Sequence, residues 1–221
     1  MAKIHPSILA ANHGQLASDV QKLEKAGVHS FHIDIMDGNF VPNFGIGTET
    51  LRGVKQAIST PIDIHLMVQN PGQHIPLFAQ FEPDVMVFHP EVDHHAPRTL
   101  QQIKDFGIKA GIAISPGMAL ETVKELLPLC QHVLVMTVNP GFGGQQFLEF
   151  TLEKLAQMGV LSKKYGFELN VDGNITPERV AQLLPLGVEH FVMGTALFKD
   201  SYLEVLESVE NIRNHFSPST T

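Results

Sequence analysis

The chain is nearly without cysteine. Cys130 stands alone among 221 residues, so no intramolecular disulfide can form, and a reducing, cytoplasmic setting is expected. Beside Pro128 and Leu129 this thiol reads as packing rather than as a nucleophile. Basic residues are scarce too: Lys plus Arg number 15 against 23 Asp plus Glu, a formal charge of −8. A nucleic-acid partner needs a basic face, so that class is set aside. The acidity leaves an anionic small molecule open, because backbone N–H groups hold phosphate locally. The N-terminus lacks the apolar core of a secretory leader, being broken by His5 and Pro6. No linker or composition shift divides the chain, so one domain over residues 1–216 with a loose tail at 217–221 is expected.

Charge is missing altogether from residues 126–148, a stretch long enough to suggest a membrane span. Pro128, Asn139, Pro140, Gly141, Gly143 and Gly144 break any continuous helix there. The stretch reads as a helix end, a buried strand at 133–138 and a glycine loop, with no membrane partner.

What is present is alternation. Apolar, β-rich runs recur at residues 4–9, 31–36, 61–68, 85–89, 110–115, 133–138, 168–171 and 191–193. Helical spacing fills the gaps at 14–26, 49–58, 97–106, 119–127, 148–164, 176–186 and 201–214. Residues 72–81 give the weakest helical pattern, because Pro76 interrupts them. Thr176-Pro177-Glu178 has the form of an N-cap followed by proline at the first helical position. Strand and helix in eightfold alternation predict an α/β fold, a single parallel (β/α)8 TIM barrel. A doubly wound open sheet usually carries a glycine-rich first turn, and Ile8-Leu9-Ala10-Ala11-Asn12 has none.

Such a barrel keeps its chemistry at the carboxyl ends of its strands. Side chains alternate between faces, so His32, Asp34 and Met36 point one way while Phe31, Ile33 and Ile35 point the other. By the same parity Asp63, His65 and Met67 share a face. His32, Asp34, His65 and Asp172 can converge at one height; the bland alternative for His32 and Asp34 is a satisfied structural pair. The mixed nitrogen and oxygen set suits one divalent metal ion, zinc first, with iron, manganese or cobalt also compatible. His5, His13, His29, His74, His94, His95, His132, His190 and His215 lack that context and default to surface or packing. Gly141, Gly143 and Gly144 follow the sixth run, Gly173 the seventh and Gly194-Thr195 the eighth. Late barrel loops commonly cradle phosphate. A phosphate clamp beside a metal and two carboxylates suggests proton chemistry on a phosphorylated keto-sugar through an enediolate.

The motifs that carry a family resemblance are Pro6-Ser7-Ile8-Leu9-Ala10, the segment 32–38 with Phe40-Val41-Pro42-Asn43, the segment 63–67, the segment 136–145 and Val171-Asp172-Gly173. Together they resemble the ribulose-phosphate 3-epimerase family over nearly the full length. The resemblance implies a TIM barrel that interconverts ribulose 5-phosphate and xylulose 5-phosphate at C3. It implies His32, Asp34, His65 and Asp172 as metal ligands, with Asp34 and Asp172 also the acid/base pair. It further implies substrate contacts at Ser7, His65, Met36, Met67 and Met136, and phosphate at Gly143, Gly144, Gly173, Gly194 and Thr195, with Asn174 beside them. The loop at 38–47 would help cover the site, and a homo-oligomer, dimer or hexamer, is implied. Ser115-Pro116 stands where the family commonly has Asn-Pro, Asn174 where it has a second glycine, and Thr195 where it has serine. Gly194-Thr195 and His89-Pro90-Glu91 resemble the allulose-6-phosphate 3-epimerase branch, which does the same chemistry on six carbons. Two rivals remain: a related barrel decarboxylase, whose Asp-x-Lys-x-x-Asp stretch is absent here, and a non-catalytic sugar-phosphate binding barrel.

Overall fold

The computed structural model describes residues 2–199 and 202–216; the expected tail at 217–221 lies outside them. The strands are β1 (Lys3–Pro6), β2 (Phe31–Met36), β3 (Ile62–Met67), β4 (Val85–Phe88), β5 (Lys109–Ile114), β6 (His132–Met136), β7 (Glu168–Asp172) and β8 (His190–Met193). All pair in parallel in the order β1-β8-β7-β6-β5-β4-β3-β2. A single bridge between Ser7 and His32 joins β1 to β2 and brings the ring nearly to closure. Near-continuous runs of Ile, Val, Leu and Phe make these strands, because both of their faces are covered.

The helices between strands are α1 (Leu16–Lys25), α2 (Thr48–Ala57), α3 (Ile75–Ala79), α4 (Ala96–Asp105), α5 (Thr151–Tyr165), α6 (Pro177–Leu183), α7 (Thr195–Lys199) and α8 (Tyr202–Phe216). Their apolar faces meet the outward residues of the strands in one large core; in α1, Leu16, Val20 and Leu23 are buried in the core that also holds Phe31 and Ile33. α6 starts as its sequence suggests: the Thr176 side chain accepts from the Arg179 N–H and Pro177 opens the helix.

Inside the barrel the two halves differ. Val85, Val87, Ala113, Leu134, Met136 and Val192 fill one side with hydrocarbon. The other side is polar, and register sets its layers: His32 lies opposite Asp63, Asp34 opposite His65, and Met36 opposite Met67.

Three expectations are corrected. The first run is a strand only to Pro6; residues Ile8–Ala10 turn into a 3-10 helix that brings Leu9 and Ala10 to the barrel mouth. Residues 119–127 form no α-helix: two 3-10 turns, Leu120–Thr122 and Leu127–Leu129, carry the chain instead. Pro128 disfavours helical backbone just before it, and the segment packs through buried Val123 and Leu127, with Leu120 and Leu126 partly buried beside them. Pro76 does not break its segment but occupies the first turn of α3, where its missing N–H costs nothing. Among the described residues, no helix is long and apolar enough to cross a membrane.

Candidate active site

β2, β3 and β7 bring His32, Asp34, His65 and Asp172 together, with one donor atom of each within 4.8 Å of the others. His32 Nε2 stands 3.5 Å from Asp34 Oδ1, His65 Nδ1 stands 3.4 Å from the same oxygen, and Asp172 Oδ2 is 4.0 Å from His32 Nε2. The two imidazoles and Asp34 are buried, and Asp172 is mostly so. Ser7 Oγ donates to Asp34 Oδ2 at 2.6 Å. Among the described residues, His32 Nε2 and His65 Nδ1 are buried without a hydrogen bond. Leaving such a group unsatisfied costs about 1–3 kcal/mol, so two of them aimed at one point ask for a shared partner.

The far side of each imidazole is occupied. His32 Nδ1 meets Asp63 Oδ2, and Asp63 Oδ1 also accepts from Ser30 Oγ at 2.6 Å and faces His5 Nδ1 at 3.1 Å. His65 Nε2 lies 2.9 Å from His89 Nε2, whose Nδ1 is 3.3 Å from Glu91 Oε1. A proton on His32 Nδ1 and on His65 Nε2 satisfies both pairings and turns the two lone pairs inward. Metal-holding histidines are oriented in this way. The donor set therefore fits a divalent cation.

The electrostatics ask for positive charge at the same point. Burial opposes ionisation of Asp34, but His32 and His65 outweigh it and hold the carboxyl well below its usual range. Burial opposes the imidazolium of His32, yet the Asp63 and Asp34 carboxylates raise it well above the ordinary value. Asp172 behaves oppositely: burial first, then the Asp34 and Asp63 carboxylates, push it up to about 7 against the pull of His32.

Above the quartet opens a cavity of about 600 Å³. Ser7, Asp34, Met36, Met67, Met136 and Asp172 form its floor and walls, and Gly141, Gly143, Gly144, Gly173, Asn174, Gly194 and Thr195 its rim. His65 is on neither: it lies fully buried on β3 beside Asp34, its register partner on β2, so it stands among the donors rather than on the cavity wall. Gly173 is required where it stands. Its φ is +126°, and a Cβ there would come within 2.8 Å of Thr137 Oγ1 and the Val138 nitrogen. The loop after β2 reaches the loop after β6, where Asn43 Nδ2 donates to the Gly141 carbonyl at 2.8 Å.

The family model for the ribulose-phosphate 3 epimerase family matches residues 3–198. The chain belongs to that family. A ribulose-phosphate 3-epimerase of Bacillus subtilis is 36% identical over 204 residues, covering 91% of this chain and 94% of the relative. That of Helicobacter pylori strain 26695 is 38% identical over 214 residues, covering 96% and 98%. That of Escherichia coli K12 is 37% identical over 212 residues, covering 94% of each. Among solved structures, 3-keto-L-gulonate-6-phosphate decarboxylase from Vibrio cholerae aligns with a TM-score of 0.73 at 13% identity, covering 98% of this chain and 99% of its own. At that identity the likeness speaks for the fold alone.

In this epimerase-family chain the sequence pattern points to the quartet but not to Asp63, His5, His89 and Glu91, which back its imidazoles. Strand parity put Asp63 on the inner face; only the register puts it opposite His32. Ser115 belongs to the backing too. Its hydroxyl donates to Glu91 Oε1, and Lys154 Nζ clamps the Ser115 and Pro116 carbonyls at 2.9 and 2.7 Å. Asn174 follows Gly173 with φ 52°, the left-handed region that a glycine would take freely.

Proposed function

We propose that this chain inverts C3 of a ketose phosphate, interconverting D-ribulose 5-phosphate and D-xylulose 5-phosphate. One observation carries the reading: two carboxylates from separate strands, Asp34 and Asp172, line a single cavity and share one donor cluster with the buried imidazoles of His32 and His65. Asp34 removes the C3 proton from one face and Asp172 delivers a proton to the other; the reverse reaction exchanges their roles. Ser7 fixes the Asp34 carboxylate by its bond to Oδ2, so the other oxygen keeps one direction. A divalent ion held by His32, Asp34, His65 and Asp172 would supply Lewis acidity to the substrate oxygens, with zinc first among zinc, iron, manganese and cobalt. Met36, Met67 and Met136 present apolar walls that exclude water from the carbanion-like centre. N–H groups of Gly143, Gly144, Gly173, Asn174, Gly194 and Thr195 are the proposed phosphate cradle, with Gly141 setting the loop against Val41. The working form is proposed to be a cytoplasmic homo-oligomer, a dimer or hexamer.

The test is isotopic. The protein with zinc, and separately with each other ion, is incubated with ribulose 5-phosphate in heavy water. Xylulose 5-phosphate carrying deuterium at C3 is expected. Absence of both exchange and product with every pentulose and hexulose phosphate tried removes the proposal. D-allulose 6-phosphate in a parallel arm decides the carbon count.

A further inference from the structure

At the opposite mouth of the barrel, where β6, β7 and β8 begin, lies a second cluster. His132 and His190 are buried there, and the Glu168 side chain is 32% exposed. His132 Nδ1 stands 3.5 Å from Glu168 Oε2, and His190 Nε2 stands 3.4 Å from the same oxygen. One donor atom of each residue lies within 4.8 Å of the other two. Among the described residues, three buried histidine nitrogens lack a hydrogen bond: His32 Nε2 and His65 Nδ1 in the quartet, and His132 Nδ1 here. The spacings repeat those of the quartet, where a nitrogen of each histidine stands 3.5 or 3.4 Å from one carboxylate oxygen. They are long for hydrogen bonds. They match the edge of a tetrahedron, about 3.3–3.6 Å long, which follows from metal–ligand bonds of about 2.0–2.2 Å.

We propose that His132, Glu168 and His190 form a second divalent-cation site of the zinc class, which fastens β6, β7 and β8 together at the amino-terminal mouth. Two imidazoles and one carboxylate leave a fourth position for water, and the exposed side of Glu168 gives an entry path. The histidines are offered as ligands without loss of a proton, because burial holds both below the ordinary imidazole range, and Glu168 stays ionised beside them.

Lys3 is the internal competitor. Its Nζ sits 3.3 Å from Glu168 Oε1 and 3.2 Å from His190 Nε2, so an ammonium now makes contacts that the ion would take over. Its side chain is 35% exposed and can swing into solvent. Lys109 Nζ, 3.8 Å from Glu168 Oε2, adds a second like charge. Two ammonium groups beside one carboxylate make this the weaker of the two sites. It is a site independent of the epimerase reading.

The test counts ions. Metal-stripped full-length protein is dialysed against increasing Co²⁺, and bound metal is measured with the visible spectrum. Wild type should take up one tight and one weaker equivalent, the weaker one with the intense bands of a low-coordinate ion. Asp34→Asn with Asp172→Asn should abolish the tight class and keep the weaker. Glu168→Gln and His190→Gln should each do the reverse. Lys3→Met should tighten the weaker class roughly fivefold to tenfold, the effect of removing one like charge at a partly exposed site. A single equivalent in both wild type and Lys3→Met that Glu168→Gln leaves in place overturns the proposal. So does a second equivalent that survives Glu168→Gln. Glu168 and Lys3 lie at the rim, so those variants keep the test intact should the buried ones fail to fold.

Discussion

His32 donates its Nδ1 proton to the Asp63 carboxylate directly across the β2–β3 pair. Asp63 is itself held by Ser30 and His5, so its position is set from three sides. One imidazole edge is thereby committed to the protein, and the other is presented to the quartet.

Asp63→Asn should therefore weaken the quartet as a metal site without touching a proposed ligand. Removing such an outer partner typically costs about 10–100-fold in affinity or activity. Zn²⁺ affinity, measured by competition with a chromophoric chelator, should fall within that range while the far-ultraviolet circular dichroism is kept. An unchanged affinity would mean that Asp63 serves the fold and not His32.

The two carboxylates should fail differently from each other and from a binding defect. With Asp172→Asn, Asp34 can still remove the C3 proton of ribulose 5-phosphate and return it to the same face. Deuterium wash-in should then outrun xylulose 5-phosphate formation, and turnover should fall about 10²–10⁴-fold, the usual worth of a positioned acid or base. Proton NMR of the recovered pentulose reads both quantities from one sample. Equal loss of wash-in and product would deny the split of labour.

The contrast between the quartet and its backing marks how far the sequence could be read. Parity along 31–36 and 61–68 is a local property, so inward His32, Asp34 and His65 follow from the strand pattern of these runs alone. Which inward groups touch is not local. Asp63 reaches His32, and His5 reaches Asp63, only through the pairing of strands far apart in the chain. For the same reason His132 and His190, left as surface or packing residues, turn out to be buried around Glu168. The run at 119–127 has the leucine and valine spacing of a helix, yet Pro128 and a short crossover leave only 3-10 turns there.

Cys130 offers a plain check on compartment and chemistry. Burial, against a small opposing pull from Lys104, pushes its thiol up to about 12. At pH 8 the folded protein should react with iodoacetamide or an aromatic disulfide far more slowly than the same chain in denaturant. Rapid labelling of native protein would show an open thiol and remove the packing role.

The histidine cluster at the amino-terminal mouth gives a pH dependence with a definite sign. Burial drives the His190 pKa down to about 4 from 6.5; His132, His5 and Lys3 add to that, and Glu168 opposes it. The unfolded chain takes up a proton as pH falls through the usual imidazole range, but folded His190 does not until about 4. The unfolded state thus binds more protons in that window, so stability is full above it and is lost as pH falls through it. The loss from this residue amounts to at most about 3 kcal/mol. Urea unfolding of metal-free protein at pH 7.5 and 4.5, for wild type and His190→Gln, isolates the effect by subtraction. Wild type should lose more stability than the variant between the two conditions. Parallel losses would mean that His190 does not carry the depressed titration that its burial dictates.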